Sequence, residues 1–131
     1  MKKKVTDAEL EVLQVLWADG PSSVRHVNEE LSKNREVVYT TTLKTMQLMA
    51  AKKGLLRRDT SSRTHLYEAI VSEEEVQNDI VNKVVKTAFR GSPLKLVLSA
   101  LGHDKTSPED LEEIKKIISQ LENPDQHESN Q

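Results

Sequence analysis

Residues 37–70 read VVYTTTLKTMQLMAAKKGLLRRDTSSRTHLYEAI, and this stretch decides the fold. Its first half has helical spacing. Leu43, Met46 and Ala50 recur at three- and four-residue steps and mark an inner stripe. The spacing predicts a helix from Tyr39 or Thr40 to Lys53, with Gly54 as its C-terminal cap. Lys52 and Lys53 then suit the negative end of the helix dipole. The second half changes period. Residues 55–59 read as a short strand and 60–63 as a polar turn. Residues 64–70 alternate, with His65, Tyr67 and Ala69 on one face and Leu66, Glu68 and Ile70 on the other. The reading is a helix followed directly by a β-hairpin.

Working towards the N-terminus, Val37 and Val38 lead into this helix, and residues 33–36 form a polar turn before them. Val24, Val27 and Leu31 give the stripe of a short preceding helix, capped by Ser22 or Ser23. Before it, Thr6-Asp7-Ala8-Glu9 is a capping box. It opens an amphipathic helix carrying Leu10, Leu13 and Trp17, with Val12, Val15 and Leu16 alongside, that stops at Asp19-Gly20-Pro21. Three helices and a hairpin in this order make a winged helix-turn-helix.

Beyond the hairpin, Ser72 and Glu75 form a second capping box. The helix it opens carries Val76, Ile80, Val84, Ala88 and Phe89, widened by Val81 and Val85. Gly91-Ser92-Pro93 breaks it. Leu94, Val97, Leu98 and Leu101 form the next helix, which ends at Gly102. Ser107-Pro108-Glu109-Asp110 starts the last one, whose apolar face is Leu111, Ile114, Ile117, Ile118 and Leu121. The fold class expected is mainly α with a small β-hairpin. The expected domains are a winged-helix DNA-binding domain at 1–71, a helical dimerisation domain at 72–122 and a disordered tail at 123–131. A segment of 50 to 60 residues is marginal alone, so two copies are expected to pair through Val76, Ile80, Val84, Phe89, Leu94, Val97, Leu98, Leu101, Leu111, Ile114, Ile117, Ile118 and Leu121.

Composition narrows the function. In 131 residues, 36% are hydrophobic, which suits small units that complete a core by pairing. Aromatics are only 3% (Trp17, Tyr39, Tyr67 and Phe89), too few for the stacking rows of a single-strand nucleic-acid platform. The absence of cysteine excludes disulfides, thiolate metal sites and a cysteine nucleophile. Lys2-Lys3-Lys4 is not followed by an apolar run. The longest apolar stretch, 94–101, is interrupted by Lys95 and Ser99 and falls short of the roughly 18 residues of a membrane span. No membrane insertion and a cytoplasmic location are therefore expected. Among His26, His65, His103 and His127, no two stand three or four apart, and there is no HExxH. His103-Asp104 reads as an exposed loop pair, and Glu73-Glu74-Glu75 as helix-start acids. No enzyme activity, cofactor or metal site is expected.

The charge is uneven. Residues 1–71 balance at +3 and residues 72–131 at −5. Within 33–63 the bases Lys33, Arg35, Lys44, Lys52, Lys53, Arg57, Arg58 and Arg63 face only Glu36 and Asp59, a balance of +6. With Leu43 at 0°, Lys44, Leu48, Thr41, Lys52 and Thr45 fall at roughly 100°, 140°, 160°, 180° and 200°, so the outer face of the third helix is Thr/Lys with one irregular Leu48. Such a helix fits the major groove of duplex DNA, and its positive N-terminus attracts phosphate at Tyr39, Thr40 and Thr41. The candidate DNA-binding residues are Arg25, Tyr39, Thr40, Thr41, Thr42, Lys44, Thr45, Arg57, Arg58 and Arg63. The reading from the residues is a symmetric dimer that binds duplex DNA. The alternative is a winged-helix module that binds protein instead of a specific DNA sequence.

Residues 6–13, the Leu16-Trp17 pair, Tyr39-Thr40-Thr41-Thr42-Leu43-Lys44-Thr45-Met46 and Lys53-Gly54-Leu55-Leu56 resemble the penicillinase-repressor family of bacterial transcriptional regulators. Ser107-Pro108-Glu109-Asp110-Leu111 is similar to its C-terminal helix start, and the resemblance covers about residues 5–121. It implies a homodimeric, sequence-specific transcriptional repressor on an inverted-repeat operator, with Thr41, Thr42, Lys44 and Thr45 in the recognition helix and Arg63 at the hairpin tip. For the β-lactam branch it further implies release by a membrane sensor that triggers cleavage at an Asn-Phe bond. This chain has no Asn-Phe bond, and the similar stretch reads Leu96-Val97-Leu98-Ser99-Ala100-Leu101. The copper-responsive branch uses C-terminal cysteines, which are absent here. A membrane sensor protease or another induction system is the expected further partner.

Overall fold

A computed structural model describes residues 4–102 and 106–124 of the chain. The elements are α1 (Asp7–Asp19), α2 (Val24–Leu31), α3 (Tyr39–Ala51), β1 (Leu56–Asp59), β2 (Leu66–Ala69), α4 (Glu73–Ala88), α5 (Pro93–Leu101) and α6 (Pro108–Glu122). The expected class, mainly helical with one hairpin, is what the chain forms. It divides into two compact units, residues 1–83 and 84–131, and the division falls inside α4.

The N-terminal unit is built on reciprocal capping. Glu9 donates its amide to Thr6 Oγ1 at 3.2 Å and accepts the Thr6 amide on Oε1 at 2.9 Å, which closes the capping box that starts α1. Val12, Leu13 and Leu16 of α1 are buried against Val24 and Val27 of α2, Met46 and Met49 of α3, and Leu55 and Leu56 at the start of the hairpin. Burying side chains of this size contributes about 1.5–3 kcal/mol each, which offsets the entropy of ordering three short helices. Trp17 stays at the edge of this core and donates its indole Nε1–H to the Val71 carbonyl at 3.0 Å, a contact between residues 54 apart.

Gly20 ends α1 with φ +78°, a left-handed conformation that a side chain resists. The turn delivers Ser22 to the hairpin. Ser22 and Tyr67 exchange backbone hydrogen bonds of 3.0 and 2.8 Å, so a third short strand piece borders the two-stranded sheet. The sequence reading did not include it. Ser23 caps α2 through the His26 amide. β1 and β2 pair antiparallel with Leu56 opposite Ala69, Arg57 opposite Glu68, Arg58 opposite Tyr67 and Asp59 opposite Leu66.

Three expectations need correction. The third helix ends at Ala51, two residues before the expected Lys53, because the chain turns at Gly54 with φ +64° and the Leu55 amide returns to the Met49 carbonyl at 2.9 Å. Lys53 does not serve the helix dipole. Its ammonium sits 2.9 Å from the Glu9 carboxylate. Val76, expected on the dimer face, is buried at 4% exposure in the core of the N-terminal unit. The first turn of α4 therefore belongs to the winged helix, and its side chain is unavailable to a second copy.

In the C-terminal unit, Arg90 (φ 51°) and Gly91 (φ 80°) turn the chain out of α4. Ser92 and Ser107 cap α5 and α6, each with proline in the first turn. No side chain of α5 or α6 is buried. Leu94, Val97, Leu98, Leu111, Ile117, Ile118 and Leu121 are exposed, as is Ile80 in the middle of α4, while Val84, Phe89, Leu101 and Ile114 are half-covered. Among the described residues, no helix is long and apolar enough to cross a membrane. His103, Asp104 and residues 125–131 of the expected tail lie outside the described residues.

Candidate nucleic-acid interface

α3 is the element with a core on one side and an unused polar face on the other. Thr42, Met46 and Met49 are its buried residues, while Leu43 and Ala50 are only half-covered. The inner stripe is thus turned from the one the sequence spacing predicts. Its centre lies roughly 90° from Leu43, on the Thr42 side. Thr42, expected at the DNA face, is 2% exposed. Its hydroxyl accepts a hydrogen bond of 2.9 Å from Asn28 Nδ2, and the same amide group donates to the Val37 carbonyl at 2.9 Å. Asn28 of α2 therefore ties the turn and the first turn of α3 together. Thr42 sets the angle of the helix from inside.

The same rotation changes what points outward. Thr40, Thr41, Lys44, Gln47, Leu48 and Ala51 are exposed, and Thr45 is half-covered. Gln47 was not among the sequence candidates. Its signal was present: it lies one turn from both Lys44 and Ala51. Taking Leu43 as the centre of the core placed it at about 40°, on the inner side. Val38 stands at the N-cap position, and no side-chain hydrogen bond closes the first turn of α3. The Thr41 amide turns back to the Val38 carbonyl at 3.0 Å, which leaves the amides of Tyr39 and Thr40 for an external acceptor such as a phosphate oxygen. Tyr39, at 47% exposure, flanks them.

The charges sort themselves by pairing. Lys33 meets Glu30 at 2.6 Å, Arg35 grips Glu11 with two bonds of 2.8 and 3.0 Å, Lys53 meets Glu9, and Arg57 meets Glu68 across the hairpin at 2.9 Å. All four acids lie outside the segment 33–63 whose excess looked so large. Its other four bases, Lys44, Lys52, Arg58 and Arg63, have no ion pair among the described residues and are exposed. Lys44 stands on the outer side of α3, Lys52 follows its last residue, and the two arginines stand on the hairpin. Arg25 makes a loose, fully solvated pair with Glu29 at 3.5 Å. The hairpin turn is held by Asp59, whose Oδ1 accepts the Ser61 amide at 2.9 Å. That amide first, then the Ser61 hydroxyl, and Arg57 more weakly hold the Asp59 carboxyl below its usual range. The turn carrying Arg63 is thus shaped by a local Asx bond.

Of the ten candidates, Tyr39, Thr40, Thr41, Lys44, Arg58 and Arg63 are exposed side chains of α3 and the hairpin without a partner acid, and Thr45 borders them. Arg25 and Arg57 are exposed but paired, and Thr42 is internal.

The penicillinase repressor family model matches residues 5–120. The penicillinase repressor of Bacillus licheniformis is 30% identical over 125 residues, which are 94% of this chain and 97% of that protein. The transcriptional regulator BlaI of Mycobacterium tuberculosis is 28% identical, over 91% of this chain and 86% of that one. The methicillin resistance regulatory protein MecI of Mammaliicoccus sciuri is 22% identical, over 88% and 94%. A solution structure of the DNA-binding domain of the repressor BlaI is 35% identical and covers 57% of this chain and 93% of that one, with a TM-score of 0.47. The chain belongs to the penicillinase repressor family.

Proposed function

We propose that this member of the penicillinase repressor family represses transcription by occupying an inverted-repeat DNA operator as a homodimer. The observation that carries the reading is the outer face of α3. Thr40, Thr41, Lys44 and Gln47 are exposed there, on a helix whose inner face is fixed by Thr42, Met46 and Met49 and whose first turn has no side-chain cap.

Each residue type has a use in the major groove. The threonines offer a hydroxyl to phosphate and a methyl to thymine, lysine reaches the acceptors of guanine, and glutamine can make two bonds to adenine. The N-terminal amides of α3 receive a backbone phosphate. Arg58 and Arg63 add phosphate contacts from the wing, and Arg25 adds one once Glu29 lets go. Thr45 lies at the margin of the contact.

One such helix gives a weak, short-site interaction. The exposed apolar residues of α4 to α6, from Ile80 to Leu121, supply the second copy: a polar chain does not leave so many leucines and isoleucines in water without a partner. Joining two half-sites makes the second contact effectively intramolecular. Separating the C-terminal helices then releases the DNA, and whatever does so is the inducer. The function needs no catalysis and no membrane insertion, and it places the protein in the cytoplasm with the chromosome.

Selection of duplexes from a random pool at about 150 mM salt tests the reading. The expected result is a two-fold symmetric sequence with half-sites about one helical turn apart. Retention of duplex with no enriched sequence, or no retention at all, would overturn it. The second of these would favour a protein partner for the same face.

A further inference from the structure

Asp19, at the end of α1, and His26 and Glu30, one turn apart on α2, place one ligand atom each within 4.8 Å of one another. We propose that they form a binding site for a divalent first-row transition cation such as Zn(II), which ties α1 to α2. The proposal rests on the fold of the N-terminal unit and not on the DNA-binding reading.

The donor set is one imidazole and two carboxylates. It suits zinc and its neighbours, which accept nitrogen and oxygen together, and suits magnesium poorly. His26 and Glu30 are four residues apart, so a helix presents both on one face. The third ligand comes from a different helix, and its position is set by the backbone. Gly20 turns the chain, Ser22 is pinned to Tyr67, and Ser23 fixes the His26 amide, so the gap between Asp19 and His26 is spanned by hydrogen-bonded structure. His26 Nε2 and Asp19 Oδ2 are 2.8 Å apart, at hydrogen-bond distance. Metal bonds of about 2.0–2.2 Å need donor atoms roughly 3.4 Å apart, so the cation enters between the two atoms after a small outward rotation of Asp19. Asp19 is exposed, and His26 and Glu30 are half-covered, which leaves water the remaining coordination positions.

Lys33 already occupies part of this site. Its ammonium lies 2.6 Å from Glu30 Oε2. A dication must displace it, and this competition separates a metal site from a mere hydrogen-bonded cluster.

The experiment is titration of the full chain with Zn(II) against a chromophoric zinc chelator, with thermal unfolding recorded in parallel. The expected result is one zinc per chain and a zinc-dependent rise in the unfolding midpoint. His26→Ala should lower the affinity about tenfold or more, and Glu30→Gln should lower it as well. Both side chains are on the surface, so both variants fold. Lys33→Ala should raise the affinity by ~2- to 5-fold, because the competing charge is gone. Excess Mg(II) should leave the zinc in place. Zinc binding that His26→Ala leaves unchanged would overturn the site, as would no wild-type binding below about 1 mM. A Lys33→Ala variant that binds no better, or displacement of zinc by Mg(II), would overturn it too.

Discussion

Thr42 and Lys44 stand two residues apart on α3 and do opposite work. Thr42 is internal and accepts from Asn28, whereas Lys44 is exposed and unpaired among the described residues. Thr42→Ala leaves a covered amide with one partner fewer, so it should cost on the order of 1 kcal/mol of stability, read by denaturant unfolding. Lys44→Ala should leave unfolding unchanged and weaken operator binding by about tenfold or more in a fluorescence titration. A Lys44→Ala protein with full operator affinity would remove α3 from the groove. Glu9 is a residue through which acid acts on the core. Burial works against its charge, but the Thr6 amide and Lys53 outweigh it and hold its carboxyl below the ordinary 4.5. A group whose pKa is depressed on folding stabilises above its unfolded value, and that stability is lost as pH falls through the folded value. Stability should therefore be flat near neutrality and decline below about pH 4.5, and Glu9→Gln should flatten that decline. An identical acid limb in the two proteins would show that other carboxylates carry it.

At the scale of the element, α3 shows where reading a helix by spacing stops. Its existence and its start at Tyr39 were legible, because leucine and methionine recur at helical steps. Its rotation was not. Thr42 is apolar enough to bury by its methyl and is held there by a partner from α2, which no pattern within α3 reveals. Putting Leu43 at the centre moved Thr42 out and Gln47 in. The hairpin was legible too, but that Tyr67 and Leu56 face inward was not, and the bridge to Ser22 depends on a glycine turn far away in sequence. The same is true of charge. A window of sequence counts Arg57 and Arg58 alike, and only the register across the hairpin gives Glu68 to Arg57. Arg58 and Arg63 should each add up to ~0.9 to the slope of log affinity against log salt. Replacing both by alanine should lower the slope by about 2 at most, and replacing Arg57 should lower it less. Equal losses at all three would mean that the pair with Glu68 opens on DNA.

At the scale of the whole molecule, the question is where the winged helix ends. The change in charge after Val71 places the end there. The compact unit runs to residue 83 and includes Val76 in its core. A fragment of residues 1–83 should fold as a monomer, and one of 1–71 should be less stable by roughly 1.5–3 kcal/mol, the worth of one buried valine. Denaturant curves of the two fragments check the difference, and sedimentation checks that neither pairs. Fragments of equal stability would assign α4 wholly to the C-terminal region. The proposed metal ligands belong to this same scale, because Asp19, His26 and Glu30 come together only when α1 and α2 pack.

By itself the sequence determined the elements, their order and the family. Capping boxes, apolar periods and turn residues are local, and the chain reads them within a few residues. Tertiary structure alone decided the inward angle of α3, the pairing that removes Lys33, Arg35, Lys53 and Arg57 from the basic excess, and the place of Val76. Each of these depends on a partner from another element. The free energy of a side chain is set by what it meets in space, and a helix has no preferred face until something packs against it.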